Sequence, residues 1–142
     1  RSELVVIMYE AFLDSVKEGD AQMKQGDMPA CRREIERARG LLTELMGSLD
    51  FQYEISFYLR RLYIYSYHEL CQGMALRDSE RFAHATHVME QLLPSFREVA
   101  KQDTSEAVMK NVQQIYAGLT YGRGSLNETI GVDIGKNRGF EA

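Results

Sequence analysis

The chain has 142 residues, enough for one domain with its own hydrophobic core, so neither a metal nor a disulfide is required for folding. Its formal net charge of −4 argues against a nucleic-acid-binding surface as its main function. Two cysteines without metal-type spacing indicate a reduced, cytoplasmic protein. No stretch has the ~18 apolar residues of a membrane span, and no signal peptide is visible. The first predicted helix starts almost at Arg1, so we expect an N-terminal segment to be missing.

The first predicted helix runs from Ser2, a good N-cap residue, to about Gln25. Asp27 is expected to cap a second helix that has Pro29 in its first turn, where the missing N–H costs little. This second helix runs to about Met46 and ends at a Gly-Ser pair.

The second helix combines an apolar stripe with a group of charges. Cys31 falls on the stripe and is expected to be a small buried hydrophobe. The arginines of the helix are Arg32, Arg33, Arg37 and Arg39. Because Glu34 and Glu36 are interleaved with them, and Glu36 lies four residues from Arg32, we interpret the group as a solvated helix face.

The third predicted helix, Tyr53 to about Leu76, carries apolar side chains on two opposite faces. At about 100° per residue, one stripe consists of Ile55, Leu59, Leu62 and Leu70. The other consists of Tyr53, Phe57, Ile64, Tyr67 and Cys71. One stripe can face the core of a bundle, and the other needs a different covering.

The first helix has a similar excess of apolar surface, because its apolar residues span more than ~100° of the helix. These residues are Val5, Tyr9, Phe12, Leu13 and Val16. The pattern alone leaves two interpretations. Both helices can be central, with neighbours on both sides, or their surplus surface can form a binding groove.

Asp78 or Ser79 is expected to cap a fourth helix, in which Pro94 should produce a kink. Its apolar residues alternate in steps of three and four, as at the seam of a bundle. They are Phe82, Ala85, Met89, Leu92, Phe96 and Val99. Four helices of about 20 residues with short connections predict an all-α, antiparallel up-and-down four-helix bundle over residues 1–102.

Residues 103–142 are predicted to form a separate segment. A short fifth helix, capped within residues 103–105 and ending at Tyr116, precedes a Gly-rich tail without helical periodicity. We hypothesise that the tail or the fifth helix folds back over the second face of the third helix, at Phe57 and Ile64.

Chemistry at a catalytic or metal centre has little support in the sequence. His84, His87 and Glu90 roughly share a face, but bundle metal sites use Glu-x-x-His pairs on two helices, a pattern absent here. His68 has no Ser or Cys partner for a catalytic triad, and the glycines of residues 122–125 lack the ending of a phosphate loop. We therefore predict no catalytic residue, no metal and no cofactor; a metal carrier and a phosphotransfer bundle using His84 or His87 stay as alternatives.

Two parts of the sequence resemble the FliS family of flagellar export chaperones. The family's central signature is similar to Ser48-Leu49-Asp50-Phe51, Glu54-Ile55, Leu59, Leu62-Tyr63 and Tyr65. Residues 3–11 resemble its opening helix, which has a Leu/Met-Tyr-Asp/Glu motif. The resemblance covers residues 2–99. The family's usual Gly-Gly pair after Ser-Leu-Asp is absent, and the chain continues well past the expected end of the bundle.

The resemblance implies a bundle chaperone that binds the C-terminal segment of flagellin and prevents its polymerisation in the cytosol. It marks as signature positions Tyr9, Leu49, Asp50, Glu54, Ile55, Leu62 and Tyr63. From periodicity, the predicted client-binding residues are Tyr9, Leu13, Tyr53, Phe57, Ile64 and Tyr67. The export machinery is a further expected partner. The alternative is a structural or regulatory bundle that covers its second face by homodimerisation.

Overall fold

The computed structural model describes residues 2–102 and 112–117. Its long helices are α1 (Ser2–Lys24), α2 (Met28–Gly47), α3 (Ile55–Leu76) and α4 (Ser79–Ala100). Residues 112–117 are also helical and are called the 112–117 segment below. No strand occurs within these two described ranges, which confirms the all-α prediction.

The four long helices form the predicted bundle. Helix α1 packs against α2 and α4, and α3 packs against the same two helices, so α1 and α3 occupy diagonal corners. Consecutive helices lie side by side and are joined by short connections, which makes neighbouring helices antiparallel. The prediction of an up-and-down four-helix bundle is confirmed.

Two predicted caps fix helix starts. The Asp27 carboxylate accepts a hydrogen bond from the Ala30 N–H at 3.0 Å, with Pro29 in the first turn of α2. The Asp78 carboxylate accepts one from the Glu80 N–H at 3.0 Å at the start of α4. Both caps use residues within three positions of the helix start, which is why the sequence predicts them.

Two further predictions concern the cap at Ser2 and the position of Pro94 in α4. Ser2 lies buried within α1, and its Oγ has no hydrogen-bond partner in the described part of the chain, so a capping bond from Ser2 is not observed. Pro94 lies on the exposed side of α4, and the helix continues past it to Ala100.

The turn before α3 places Tyr53 outside the helix, although the sequence predicts that the helix begins at this residue. The Asp50 carboxylate accepts the Gln52 N–H at 3.0 Å, and the Asp50 carbonyl accepts the Tyr53 N–H at 3.1 Å. The same carbonyl accepts the Ser56 hydroxyl at 2.6 Å. Because these bonds hold the chain in a turn, α3 begins at Ile55 and not at Tyr53.

The centre of the core is a contact between the two diagonal helices. Tyr9 of α1 and Tyr63 of α3 are 0% and 2% exposed, and their hydroxyls form a hydrogen bond of 2.7 Å. Phe96 of α4 packs against the Tyr9 ring at 5.0 Å between centroids. Burial, with a smaller effect of Tyr63, raises the pKa of Tyr9, and burial raises the pKa of Tyr63. Both hydroxyls therefore stay neutral and share one hydrogen bond.

Helix α4 fixes the rotation of α3. The Ser66 hydroxyl of α3 donates a hydrogen bond of 2.9 Å to the Ala85 carbonyl of α4. Nearby, Gly73 approaches the Phe82 ring so closely that an added Cβ would lie 2.6 Å from a ring carbon. These contacts direct one face of α3 toward the core, and the opposite face points away from it.

Removal of either core hydroxyl should destabilise the bundle. Tyr9→Phe or Tyr63→Phe leaves the remaining hydroxyl buried without its partner, and each should lower the free energy of unfolding by about 1–3 kcal/mol. The double variant removes both groups and should cost less than the sum of the two. Urea denaturation followed by circular dichroism measures these values. Tyr53→Phe, in the turn, is the control, and strictly additive losses for the core pair would contradict the coupling.

The same pair predicts a loss of stability at alkaline pH. Because folding raises both pKa values, the pair contributes stability that is complete below the unfolded pKa of about 10 and is lost as pH rises from there toward the folded values. The free energy of unfolding should therefore fall above about pH 10. Urea titrations across this range should show a shallower fall for the double Tyr→Phe variant, and equal slopes would refute the assignment.

Candidate functional site

The two apolar stripes predicted for α3 lie on opposite sides of the helix. The inward residues are at most 3% exposed and are Ile55, Leu59, Leu62 and Leu70. On the other side, Phe57 and Ile64 are 46% and 43% exposed, and Tyr67 and Cys71 are half-buried. We call Phe57, Ile64, Tyr67 and Cys71 the outer stripe. The separation of the two stripes, predicted from periodicity, is confirmed.

The turn before α3 extends the outer stripe with aromatic surface. Phe51 contacts Phe57, with ring centroids 4.9 Å apart and planes at 52°, and Phe51 is itself 45% exposed. Tyr53 is half-buried and packs against the edge of the core. Helical periodicity missed Phe51 because this residue precedes the helix. The available signal was the close spacing of three aromatic residues, Phe51, Tyr53 and Phe57.

At its other end, the outer stripe meets a depression between α2 and α3, which we call the hollow. The hollow has a volume of about 230 Å³. Its lining includes Arg32, Ile35, Glu36, Arg39, Cys71 and Met74. The Arg39 guanidinium lies over the Tyr67 ring, 5.3 Å from its centroid. Cys71 therefore belongs both to the outer stripe and to the wall of the hollow.

The position of Arg39 corrects part of the sequence interpretation. Arg32, Arg33 and Arg37 are exposed, as expected for a solvated face of α2. Arg39 instead is half-buried against Tyr67, because α2 and α3 pack together at this point. The spacing of charges along α2 contains no information about this contact, since Tyr67 belongs to another helix.

Two predicted client-binding residues do not join the outer stripe. Tyr9 is fully buried, which does not fit the prediction that it contacts a client at the surface. Its hydroxyl faces Tyr63 inside the core and not solvent. Leu13 is half-buried on α1, the helix diagonal to α3. The exposed apolar residues of α1 are instead Leu4 and Ile7, at 58% and 59%, on the side of α1 away from the core.

The 112–117 segment packs on a flank of α3. Its Tyr116 ring stacks on Tyr58, with centroids 4.1 Å apart, and Val112 is fully buried. Tyr58 lies about 100° around the helix from Phe57. The segment thus folds back onto the bundle, but on a different side from the hypothesised contact with Phe57 and Ile64. The predicted caps at 103–105, the tail and the glycines of 122–125 lie outside the described residues.

His84 takes part in a contact between α3 and α4. Glu69 is 6% exposed, and its carboxylate binds Arg81 at 3.3 Å and the His84 Nδ1 at 3.1 Å. His87 is exposed beside Gln91. Within residues 2–102 and 112–117, no group of three or more His, Cys, Asp or Glu side chains is placed to hold a metal ion. No helix of this part of the chain has the length and apolar character to cross a membrane.

A pair of substitutions on α3 tests which stripe supports the fold. Leu62→Ala removes a fully packed core side chain and should lower the free energy of unfolding by about 2–5 kcal/mol. Ile64→Ala, two residues along the same helix, should change it by no more than about 0.5 kcal/mol, because Ile64 is exposed. Urea denaturation of both variants gives the comparison, and similar losses would show that the outer stripe stabilises the fold.

Comparison with known families identifies the chain. Residues 1–103 match the family described as "Flagellar protein FliS", and this match contains all four long helices and the outer stripe. Among curated proteins, none matches this chain. Because the match extends over more than half of the sequence, the chain belongs to the FliS family of flagellar export chaperones.

Proposed function

We propose that this protein binds the C-terminal segment of flagellin in the cytosol and keeps it from polymerising before export. Family membership supports a role as a flagellar chaperone. The observation that carries the proposed binding mode is the outer stripe, an apolar face of α3 that the packing of the four helices leaves on the surface. Exposed apolar patches of this kind mark interaction sites.

The outer stripe suits helix-in-groove recognition. From Phe57 to Cys71 it extends about 21 Å along α3 at 1.5 Å per residue. An amphipathic client helix can place apolar residues at i, i+3, i+4 and i+7 along such a stripe. Aromatic side chains at both ends, Phe51 and Phe57 at one and Tyr67 at the other, provide a large apolar area for contact.

This binding mode explains how polymerisation is prevented. A disordered flagellin segment would become helical on α3, and its apolar face would then be occupied. Ordering such a segment has an entropic cost, so an extended contact along the stripe is required for useful affinity. No covalent bond is formed, so the client can be released by transfer to another binding surface.

Self-association is the second candidate, and a specific observation favours it. Leu4 and Ile7 form an exposed apolar pair on α1, away from the outer stripe. A second copy of the chain can cover this pair. Sedimentation velocity at increasing protein concentration, with Ile7→Ser as the comparison, distinguishes the candidates: a dimer lost in this variant would support self-association, and a concentration-independent monomer would exclude it.

Calorimetric titration with the C-terminal flagellin segment of the same organism tests the proposal. Saturable binding with a negative heat-capacity change is expected, because apolar surface is buried. Ile64→Asp should weaken binding by about 10- to 100-fold, since the side chain would otherwise contribute about 1.5–3 kcal/mol on burial. Ile7→Asp, at another exposed isoleucine on α1, is the control and should retain affinity. Absence of binding by the unmodified protein would refute the proposal.

A further inference from the structure

We propose that the hollow between α2 and α3 is an anchor for the client helix. It would take one apolar side chain of the client in its interior and bind a neighbouring acidic side chain through Arg39. The inference rests on the proposed function and specifies it further, because it names the chemistry that sets the register of the client on the outer stripe.

The hollow continues the outer stripe without a break. Cys71 is the last residue of the stripe and lines the hollow. Tyr67 lies one helical turn before it and carries the Arg39 guanidinium on its ring. A helix that follows the stripe from Phe57 therefore reaches Arg39 and the hollow at its far end.

The size and lining of the hollow favour a side chain over a small-molecule ligand. Its volume of about 230 Å³ is below the roughly 300–1,000 Å³ of typical ligand pockets. It exceeds the roughly 150 Å³ of a cavity that admits benzene, so one large apolar side chain fits. Cys71 and Met74, both half-buried, provide apolar surface in the hollow, and the thioether of Met74 adapts readily to different shapes.

Arg39 presents a donor that lacks an acceptor. Its Nε is buried and has no hydrogen-bond partner among the residues described here. The aromatic face of Tyr67 stabilises the positive charge, but it does not replace the in-plane oxygen acceptor that a guanidinium N–H prefers. Because the Nε is shielded from solvent, a client carboxylate would bind the terminal N–H groups of this half-buried side chain, and a planar carboxylate can accept two such bonds at once.

The local charge also favours an acidic client residue. Arg32 and Arg39 line the hollow together with one acid, Glu36, so the lining carries one excess positive charge in a chain of net charge −4. In the described part of the chain, neither arginine forms an ion pair. The client motif that fits is an apolar residue with Asp or Glu three or four positions away, since such residues share one face of a helix.

A double-mutant cycle tests the anchor. The C-terminal flagellin segment, and versions with each Asp or Glu changed singly to Asn or Gln, are titrated into the full chain and into Arg39→Gln. We expect Arg39→Gln to weaken binding of the unmodified segment by about tenfold or more. One amide-substituted segment should show the same loss, and Arg39→Gln should then have no further effect on it. Arg39→Lys should recover part of the affinity, because it keeps the charge but not the planar donors.

Matched controls separate the anchor from the proposed function. Arg33→Gln, an exposed arginine of α2 outside the hollow, should bind the segment as tightly as the unmodified protein. If Ile64→Asp weakens binding and Arg39→Gln does not, the anchor is refuted and the flagellin proposal stands. If Arg39→Gln weakens all segments equally, Arg39 acts through the fold and the anchor is refuted. If the unmodified protein binds no segment, both proposals fail.

Discussion

The arrangement of this bundle depends on the hydrogen bond between Tyr9 and Tyr63. It joins the two diagonal helices through the centre of the core, at 2.7 Å between hydroxyl oxygens. Rotation of α1 or α3 about its axis would break this bond and leave two buried hydroxyls without partners. The rotation of α3 is therefore fixed, and Ile64, the next residue and about 100° further round, must face outward.

The remaining contacts of α3 reinforce this orientation. Ser66 and Gly73 hold the helix against α4, and Met74 approaches Cys31 of α2 with 3.4 Å between sulfur atoms. The 112–117 segment covers the flank at Tyr58. A corner helix in a square bundle has two neighbours and one face that points away from the core. The half-exposed Phe57 and Ile64 on that face are not part of the core. Their presence is what makes α3 a candidate binding surface.

Apolar contact and charge would make different contributions to client binding. The outer stripe supplies area, and apolar burial is non-directional, so a helix could slide along it by one turn. Arg39 has a fixed position over Tyr67 and donates in defined directions. A single carboxylate bound there would select one register out of several. Affinity would then come mainly from the stripe, and alignment from the hollow.

Features that depend on residues close together in the chain can be predicted from the amino-acid sequence. Helical periodicity separated the two stripes of α3, and the caps at Asp27 and Asp78 involve backbone groups within three positions. Periodicity alone predicts a surface position for Tyr9, since its partner Tyr63 lies 54 residues away and no local pattern indicates that contact. The spacing of charges predicts a solvated Arg39 for the same reason, since its place over Tyr67 exists only once α2 and α3 pack. Only the packing of the helices determines the surroundings of these two side chains, because each contact joins residues that are far apart in the sequence.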